Sequence, residues 1–428
     1  MIFTERAPLA GALELWKKVT YNVTCLCSGK ESVMSENNNE EKKSSNSKAV
    51  AIIVLCVVIL AAVVGIVVFA NRGGSPAEPA PSVSHPDTPD KDPVKPSEDK
   101  PGEGEEAAET DPNELPEGQM RSFLSGLPVD EKIGNRRPVA IMLNNLKAAQ
   151  PMSGVSYADV VYEYVVEGAI TRLMGVFENY DGLDKIGSVR SCREYFVYTA
   201  LEFDAIYCHF GQASYAVELL DKDYVDNING LGPAGDVTYY RTTDRQAPHN
   251  VYTSKKGIDA GIDMLGYRRD HYEGYKGKFR FCDLDKEVTN EGGYPATHIE
   301  PKYKINKPWF DYNEKTGKYE RFQYDGPQID DLTGEQLAYD NVIIQYNFWV
   351  QLDDKDYLAF DCHSGGAIQY FTKGKVVPGT WKRELNEDNY DMSAIRYYDL
   401  DGNELEINNG KTFVCVVQND EADNVVIE

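Results

Sequence analysis

The stretch ADVVYEYVVEGAITRLMGVF, residues 158–177, decides the fold that we predict for this chain. Its two apolar runs flank a central Glu-Gly-Ala and alternate strongly enough to predict two paired strands. Three residues with one glycine have the size of a hairpin connection. The polar residues set into this apolar hairpin, Glu163, Glu167 and Arg172, are therefore candidate functional residues.

A second group of polar residues follows the hairpin. Ser191 and Glu194 have the spacing of a capping box, so we expect a helix over residues 192–202 whose free N–H groups these two side chains satisfy. Arg190 and Arg193 flank Ser191. Because a helix start already favours negative charge, this pattern predicts an anion site.

The segment 239–254, which we predict to be a polar loop, adds Arg245, His249 and Asn250 to a cationic pocket in an otherwise acidic chain. One interpretation is recognition of a carboxylate or phosphate, as found in peptide stems and anionic polymers of the cell wall. The other is that the arginines pair with Asp244 and the hairpin glutamates to hold the strands together. The candidate ligand-binding residues are Glu163, Glu167, Arg172, Arg190, Ser191, Arg193, Arg245, His249 and Asn250.

Two enzymatic arrangements are alternatives to a binding site. Glu163 and Glu167 suit glycan cleavage if their carboxyl groups lie about 5 to 10 Å apart, although ion pairing with Arg172 or Arg190 competes with this role. Cys192, between two arginines at a helix start, is a candidate nucleophile with His249 as its base. The six histidines show no metal-ligand spacing. We therefore predict neither a metal nor a cofactor.

Apolar strands and helical patterns alternate in the first part of the folded chain. Buried strands are expected at 138–145 and 205–210, a helix from Ser214, and another helix capped by Ser254. This alternation predicts a mixed α/β N-terminal domain over residues 121–285, with helices packed on a sheet.

The remainder, residues 286–428, is rich in strand patterns and has one hairpin signal at Asp401-Gly402. We predict a smaller, mainly β C-terminal domain there. The fold class expected for the whole chain is α+β.

Residues 49–70 carry no charge and are dominated by aliphatic side chains, which suffices to span a bilayer. Lysines precede this run and acids follow it, so the positive-inside rule places residues 1–48 in the cytoplasm and the folded part outside. We expect a single-pass signal anchor in the cell membrane. Met34 is a plausible true start, because the residues before it resemble neither a leader nor a folded segment.

Residues 71–120 contain ten prolines and 13 acidic residues against four basic ones. Such a segment buries too little apolar surface to fold, so we predict a disordered, extended tether. The formal charge of −25 argues against nucleic-acid binding, which needs a basic surface.

Five cysteines follow the tether. Their odd number and irregular spacing do not fit a disulfide framework, and buried thiols are the simpler expectation. They are Cys192, Cys208, Cys282, Cys362 and Cys415.

Several stretches together resemble the YerB-type family of predicted bacterial lipoproteins, a domain of unknown function (3048) with N- and C-terminal parts. These are RPVAIMLNN (137–145), ADVVYE (158–163), EGAITR (167–172), IGSVRSCR (186–193), APHNVYTS (247–254), GTWKR (379–383) and GKTF (410–413). The resemblance covers nearly all of residues 121–428. It implies an N-terminal α/β domain, a smaller C-terminal domain and a location outside the membrane of a Gram-positive-type cell. It brings no activity. The chain departs from the family in its anchor, because Leu55 precedes Cys56 where lipoprotein processing calls for a small residue.

Two hypotheses for function follow. The first is a tethered binding or regulatory module for an anionic cell-wall ligand or an envelope protein. The second is an enzyme, a hydrolase or transferase acting on a wall polymer through Glu163 and Glu167 or through Cys192 and His249.

Overall fold

The computed structural model describes residues 113–384 and 390–428, and all of them belong to one compact unit. The anchor predicted at 49–70 and most of the tether predicted at 71–120 lie outside the described residues. The last two residues of that tether, Gln119 and Met120, lie in the first strand. No helix within the described part of the chain is both long and apolar enough to cross a membrane.

The first half of the described chain alternates strands and short helices. The strands are β1 Gln119–Arg121, β2 Pro128–Asp130, β3 Val139–Asn144, β4 Val160–Val165, β5 Thr171–Phe177, β6 Ile186–Gly187, β7 Ile206–His209, β8 Asn227–Asn229, β9 Tyr239–Arg241 and β10 Val251–Thr253. The α-helices are α1 Glu131–Gly134, α2 Glu194–Leu201, α3 Val217–Leu220, α4 Gly235–Thr238 and α5 Lys255–Leu265.

The second half consists almost entirely of strands. They are β11 Arg280–Phe281, β12 Tyr294–Pro295, β13 His298–Glu300, β14 Trp309–Asn313, β15 Lys318–Gln323, β16 Gly326–Pro327, β17 Ala338–Tyr339, β18 Asn341–Asn347, β19 Trp349–Gln351, β20 Leu358–Phe360, β21 Gly366–Thr372, β22 Lys375–Arg383, β23 Ile395–Tyr398, β24 Glu406–Ile407, β25 Thr412–Gln418 and β26 Val426–Ile427. The fold is mixed α+β, as the sequence predicted.

The predicted hairpin forms as β4 and β5, which pair antiparallel from Val160 opposite Val176 to Val165 opposite Thr171. Gly168, at φ +67°, occupies the left-handed region in the connection, which a glycine enters without a Cβ penalty. Ser254 caps α5, where its hydroxyl accepts a hydrogen bond from the Gly257 N–H at 3.1 Å. Both local predictions are confirmed.

The polar loop predicted at 239–254 is confined to residues 242–250, because both ends of this segment form strands. β9 and β10 pair with each other, and β10 also pairs with β6. Each strand is only three residues long, so its pairing depends on a partner that local periodicity does not reveal.

One 11-stranded sheet contains strands from both halves of the chain, in the order β12-β22-β21-β18-β25-β4-β5-β3-β7-β8, with β23 beside β22. The two halves join where β25 pairs parallel to β4, from Thr412 opposite Val160 to Val416 opposite Tyr164. A single apolar core extends across this junction and includes Ile141 and Leu173 as well as Phe413. The segments 121–285 and 286–428 therefore share one core.

Candidate functional site

One edge of the main sheet collects the carboxyl ends of several strands. β18, β25 and β4 are parallel, β5 runs antiparallel to both β4 and β3, and β7 and β8 continue parallel to β3. Six strands therefore end at the same edge. Ligands commonly bind outside the carboxyl ends of strands in open sheets of this kind.

The segment 188–193 lies across this edge, between the ends of β3 and β7. The Arg190 N–H donates to Met142 O at 3.0 Å, and the Arg190 carbonyl accepts from Phe210 N–H at 3.0 Å. Cys192 continues the contact by donating its N–H to Gly211 O at 2.9 Å. Backbone bonds to two strands thus fix the position of both arginines in this segment.

The predicted capping box is wrong. α2 begins at Glu194, and Arg193 is its N-cap with extended backbone and no side-chain hydrogen bond to the helix. The Ser191 hydroxyl instead donates to Phe210 O at 3.0 Å. This bond to the residue after β7 is a tertiary contact, so the local Ser/Glu spacing could not predict it.

Arg193 pairs with Glu167. Its Nε and Nη2 donate to the two carboxylate oxygens, the latter at 2.5 Å, and its guanidinium carbon lies 5.4 Å from the centre of the Tyr357 ring. Burial alone would lower the pKa of Arg193, but the hydrogen bond and charge of Glu167 outweigh it and raise that pKa. This arginine therefore has a structural partner, as the second interpretation of the cluster required.

Arg172 and Arg190 have no carboxylate within ion-pair distance among the described residues. Arg172 is buried and donates to Ser191 O at 2.6 Å. Burial, and then the charge of Arg193, lower the pKa of Arg172 to about 10 and also lower that of Arg190. The two guanidinium groups remain cations, because even the lowered pKa lies above neutral pH.

Within the described residues, the Arg190 side chain makes a weak hydrogen bond from Nη1 to Pro248 O at 3.4 Å. Its Nε is buried and lacks a hydrogen-bond partner in the described part of the chain. An unpaired buried donor on a charged group is costly. An anion that accepted from Arg190 would remove this cost.

His249 and Arg245 lie on the β9–β10 loop beside Arg190. The His249 Nδ1 is 2.9 Å from Asn144 Nδ2, and burial, then Arg190 and Arg245, lower the pKa of His249. Arg245 donates to Ala149 O at 2.5 Å and to Pro151 O at 2.7 Å. The loop thus places His249 near Arg190 and Arg245.

Asn250 is buried and maintains the shape of that loop. Its Oδ1 accepts from Arg241 Nη1 at 2.8 Å, and its Nδ2 donates to Thr242 O at 2.8 Å. These bonds join the two ends of the loop between β9 and β10. We call Arg172, Arg190, Arg193, Arg245 and His249 the arginine cluster.

Glu163 lies in the core, apart from the arginine cluster. It is 0% exposed and pairs with Arg321 at 2.5 Å, while Asn145 and Asn306 donate to its other oxygen at 3.0 and 2.7 Å. Ion pairing was expected with Arg172 or Arg190, so the predicted partner is wrong. A carboxylate this enclosed cannot reach a substrate, which argues against Glu163 and Glu167 as an acid/base pair.

Cys192 is also enclosed. Its side chain is 0% exposed, and burial raises the pKa of its thiol to about 12, so the thiolate needed for nucleophilic attack does not form at neutral pH. All five cysteines in the described residues are free and buried. No group of three potential metal ligands occurs within residues 113–384 and 390–428.

Asn144 and Tyr357 belong to the site although neither was predicted as a site residue. Asn144 ends β3 and contacts His249, and Tyr357 packs on Arg193. The position of Asn144 after a buried strand was a usable signal, because polar residues at the carboxyl ends of strands often face ligands. No local pattern marks Tyr357.

Comparison with known proteins gives consistent matches. The N-terminal domain model of a protein family of unknown function, DUF3048, matches residues 124–268, and its C-terminal domain model matches residues 299–414. "Putative lipoprotein YerB" of Bacillus subtilis (strain 168) is 30% identical over 299 residues, which cover 70% of this chain and 86% of the relative. The crystal structure of YerB from Bacillus subtilis matches with a TM-score of 0.62 at 29% identity, covering 72% of this chain and 99% of that one.

These matches include both halves of the shared sheet and all residues of the arginine cluster. The Bacillus subtilis relative is similar over most of its length, and its solved structure has the same fold. The chain therefore belongs to the DUF3048 family of proteins of unknown function.

Proposed function

We propose that this protein is a membrane-anchored, extracytoplasmic binding module. Its arginine cluster takes a phosphate or carboxylate group of an anionic cell-wall ligand or of an envelope protein. Residues 49–70 form the anchor, with the N-terminus in the cytoplasm, and the tether that follows, up to residue 118, extends the folded part away from the membrane. The Bacillus subtilis relative is named as a putative lipoprotein, which supports an envelope location.

The observation that carries the proposal is the unmatched charge of Arg190. This partly buried guanidinium lies beside Arg172, Arg193 and His249, and it meets no carboxylate in the described residues. Like charges held together cost folding free energy, so a cluster of this kind is usually kept for a ligand. Glu167 pairs with Arg193, and Asp244 lies 3.9 Å from Arg245. Arg172 and Arg190 still leave the cluster with a net positive charge that suits an anion.

Binding of a poly(glycerol phosphate) fragment to the full chain in detergent micelles, measured by isothermal titration calorimetry, tests the proposal. Arg190→Gln should weaken this binding at least tenfold, because it removes a charged donor from the site. Arg280→Gln is the matched control. It makes the same change in net charge at an exposed arginine on β11 and should leave the affinity unchanged.

If the ligand carries a carboxylate instead, a wall peptide should bind to the wild type, and Arg190→Gln should weaken that binding by the same factor. Equal affinity of the wild type and Arg190→Gln for both probes would refute the arginine cluster as the site. So would the absence of binding of either probe to the wild type.

The membrane orientation has its own test. Protease added to intact cells stripped of their wall should remove the folded part and leave a short membrane stub. If the folded part resists the protease, or is released freely into the medium, the proposed topology is wrong.

A further inference from the structure

Asn144 holds the His249 ring in one hydrogen-bonding state. The Asn144 Oδ1 accepts from the backbone N–H of Leu146 at 3.2 Å. A backbone N–H only donates, so this bond assigns the oxygen of the Asn144 amide and turns its Nδ2 toward His249. Nδ2 lies 2.9 Å from His249 Nδ1. Because Nδ2 is a donor, Nδ1 accepts, and neutral His249 carries its hydrogen on Nε2.

Protonation of His249 would place a second hydrogen on Nδ1, directly against the Asn144 amide hydrogens. Relief would require the amide to turn over, which breaks its bond to Leu146. Asn144 is 2% exposed, so no water replaces that bond readily. The contact therefore opposes protonation of His249.

The charges that act on His249 have the same effect. They are Arg190 from the segment before α2 and Arg245 from the same loop, and both are cations. Asp244, the carboxylate nearest to Arg245, lies 3.9 Å from its Nε and is 55% exposed, so solvent screens it. Burial and both arginines lower the pKa of His249.

We propose that Asn144 is a positioning residue that keeps His249 a neutral Nε2–H donor, so that the arginine cluster presents hydrogen-bond donors and selects the oxyanion that carries fewer hydrogens, such as a phosphodiester, or the phosphate dianion over its monoanion. This proposal rests on the proposed function. Each added proton on the ligand replaces an acceptor with a hydrogen that can meet a donor, so the more protonated form binds more weakly. Lowering the pH would therefore not strengthen anion binding, because His249 would not gain a charge.

Sulfate and inorganic phosphate, titrated into the full chain in detergent micelles at pH 8 and pH 6, separate the ligand's ionisation from that of the protein. Sulfate stays a dianion across this range, so its affinity should change less than twofold. Phosphate gains a proton, so its affinity should fall several-fold at pH 6. A tenfold strengthening of sulfate binding at pH 6 would mean that His249 becomes charged, and the proposal would be wrong.

Histidine-selective 15N nuclear magnetic resonance tests the role of Asn144 without any ligand. The wild-type His249 spectrum should show the Nε2–H tautomer. Asn144→Asp keeps an acceptor for Leu146 and replaces the opposing donor with a carboxylate, so the pKa of His249 should rise by at least one pH unit. His298, which already lies between Asp311 and Glu300, serves as the unchanged internal reference.

Asn144→Ala is the second variant in case the new carboxylate disturbs folding, and it should raise the His249 pKa by a smaller amount. An Nδ1–H tautomer in the wild type, or a His249 pKa indifferent to both changes, would overturn the role of Asn144. Absence of sulfate and phosphate binding to the wild type would instead refute the proposed function and, with it, the ligand selectivity. The histidine spectrum distinguishes these two failures.

Discussion

The arginine cluster and the ion pairs of the core differ in whether each cation has a carboxylate partner. In the core, Arg321 and Glu163 are both 0% exposed and 2.5 Å apart, and Glu202 pairs with both Lys278 and Arg383. In the arginine cluster, Arg193 has Glu167 as its partner, whereas the Arg190 side chain donates within the described residues to the Pro248 carbonyl and to no carboxylate. These core cations therefore each have a carboxylate partner, whereas Arg190 at the sheet edge has none among the described residues.

The matched pairs connect distant parts of the chain. Glu163 and Glu202 lie within the part that matches the N-terminal family model, whereas Arg321 and Arg383 lie within the part that matches the C-terminal model. A buried ion pair contributes little net stability, yet removal of one partner strands a buried charge. We infer that these pairs fix how the two segments share one sheet, whereas the unmatched arginines are available to a ligand.

The largest expected effect comes from breaking a core pair. Arg321→Met leaves the Glu163 carboxylate buried without its cation and should lower the free energy of unfolding by about 3 to 5 kcal/mol, as measured by urea denaturation. Arg280→Gln, which breaks an exposed pair with Glu406, is the control and should leave the midpoint unchanged. A loss below about 1 kcal/mol for Arg321→Met would contradict a structural role for the pair.

A second prediction concerns Glu178 and Asp159, two carboxyl groups that form no ion pair within the described part of the chain although Arg136 and Lys411 lie near enough to lower their pKa slightly. Burial raises the pKa of Glu178 to about 7 and that of Asp159 to about 6, from 4.5 and 3.8. Their contribution to stability is therefore complete below the unfolded pKa values and is lost as the pH rises through 6 and 7. The protein should be more stable at pH 5 than at pH 8, by roughly 3 kcal/mol at most for Glu178 alone.

Glu178→Gln should remove much of this pH dependence and stabilise the protein at pH 8. Thermal melting across pH 5 to 8 measures the change, with the exposed Glu314→Gln as the control. If the melting temperature of Glu178→Gln changes with pH as steeply as that of the wild type, another group causes the pH dependence.

The smallest expected effect is the difference in stability between variants of Arg193 and Arg190 within the arginine cluster. Arg193→Gln removes the partner of Glu167 and should cost about 1 to 2 kcal/mol. Arg190→Gln removes a cation that has no carboxylate among the described residues, so stability should stay the same or increase slightly. Equal losses in urea denaturation for the two variants would remove the distinction on which the proposed function depends.

The sequence predicted what local periodicity controls. The β4–β5 hairpin formed because its apolar residues alternate around Glu-Gly-Ala, and the α5 cap formed because Ser254 needs only the N–H of Gly257 three residues away. The sequence also proposed the arginines of the cluster as candidate binding residues, from their residue type and from the position of Arg190 and Arg193 near a helix start, and this remains a prediction.

What the sequence missed depends on contacts between distant residues. The Glu163 partner is 158 positions away at Arg321, and the His249 partner is 105 positions away at Asn144. Ser191 failed as a cap because its hydroxyl donates to Phe210 O, directly after β7. Spacing in one sequence carries no information on such pairs, because the sheet order brings them together.

The central claim is that an oxyanion binds where Arg190 lacks a protein partner. Crystals soaked in tungstate and recorded at its absorption edge test this most directly, because the anomalous signal locates the anion without assumptions about its position. Our account predicts a peak within hydrogen-bond distance of Arg190 and beside His249, which disappears in Arg190→Gln. Peaks at other surface cations, with none at the arginine cluster, would contradict it.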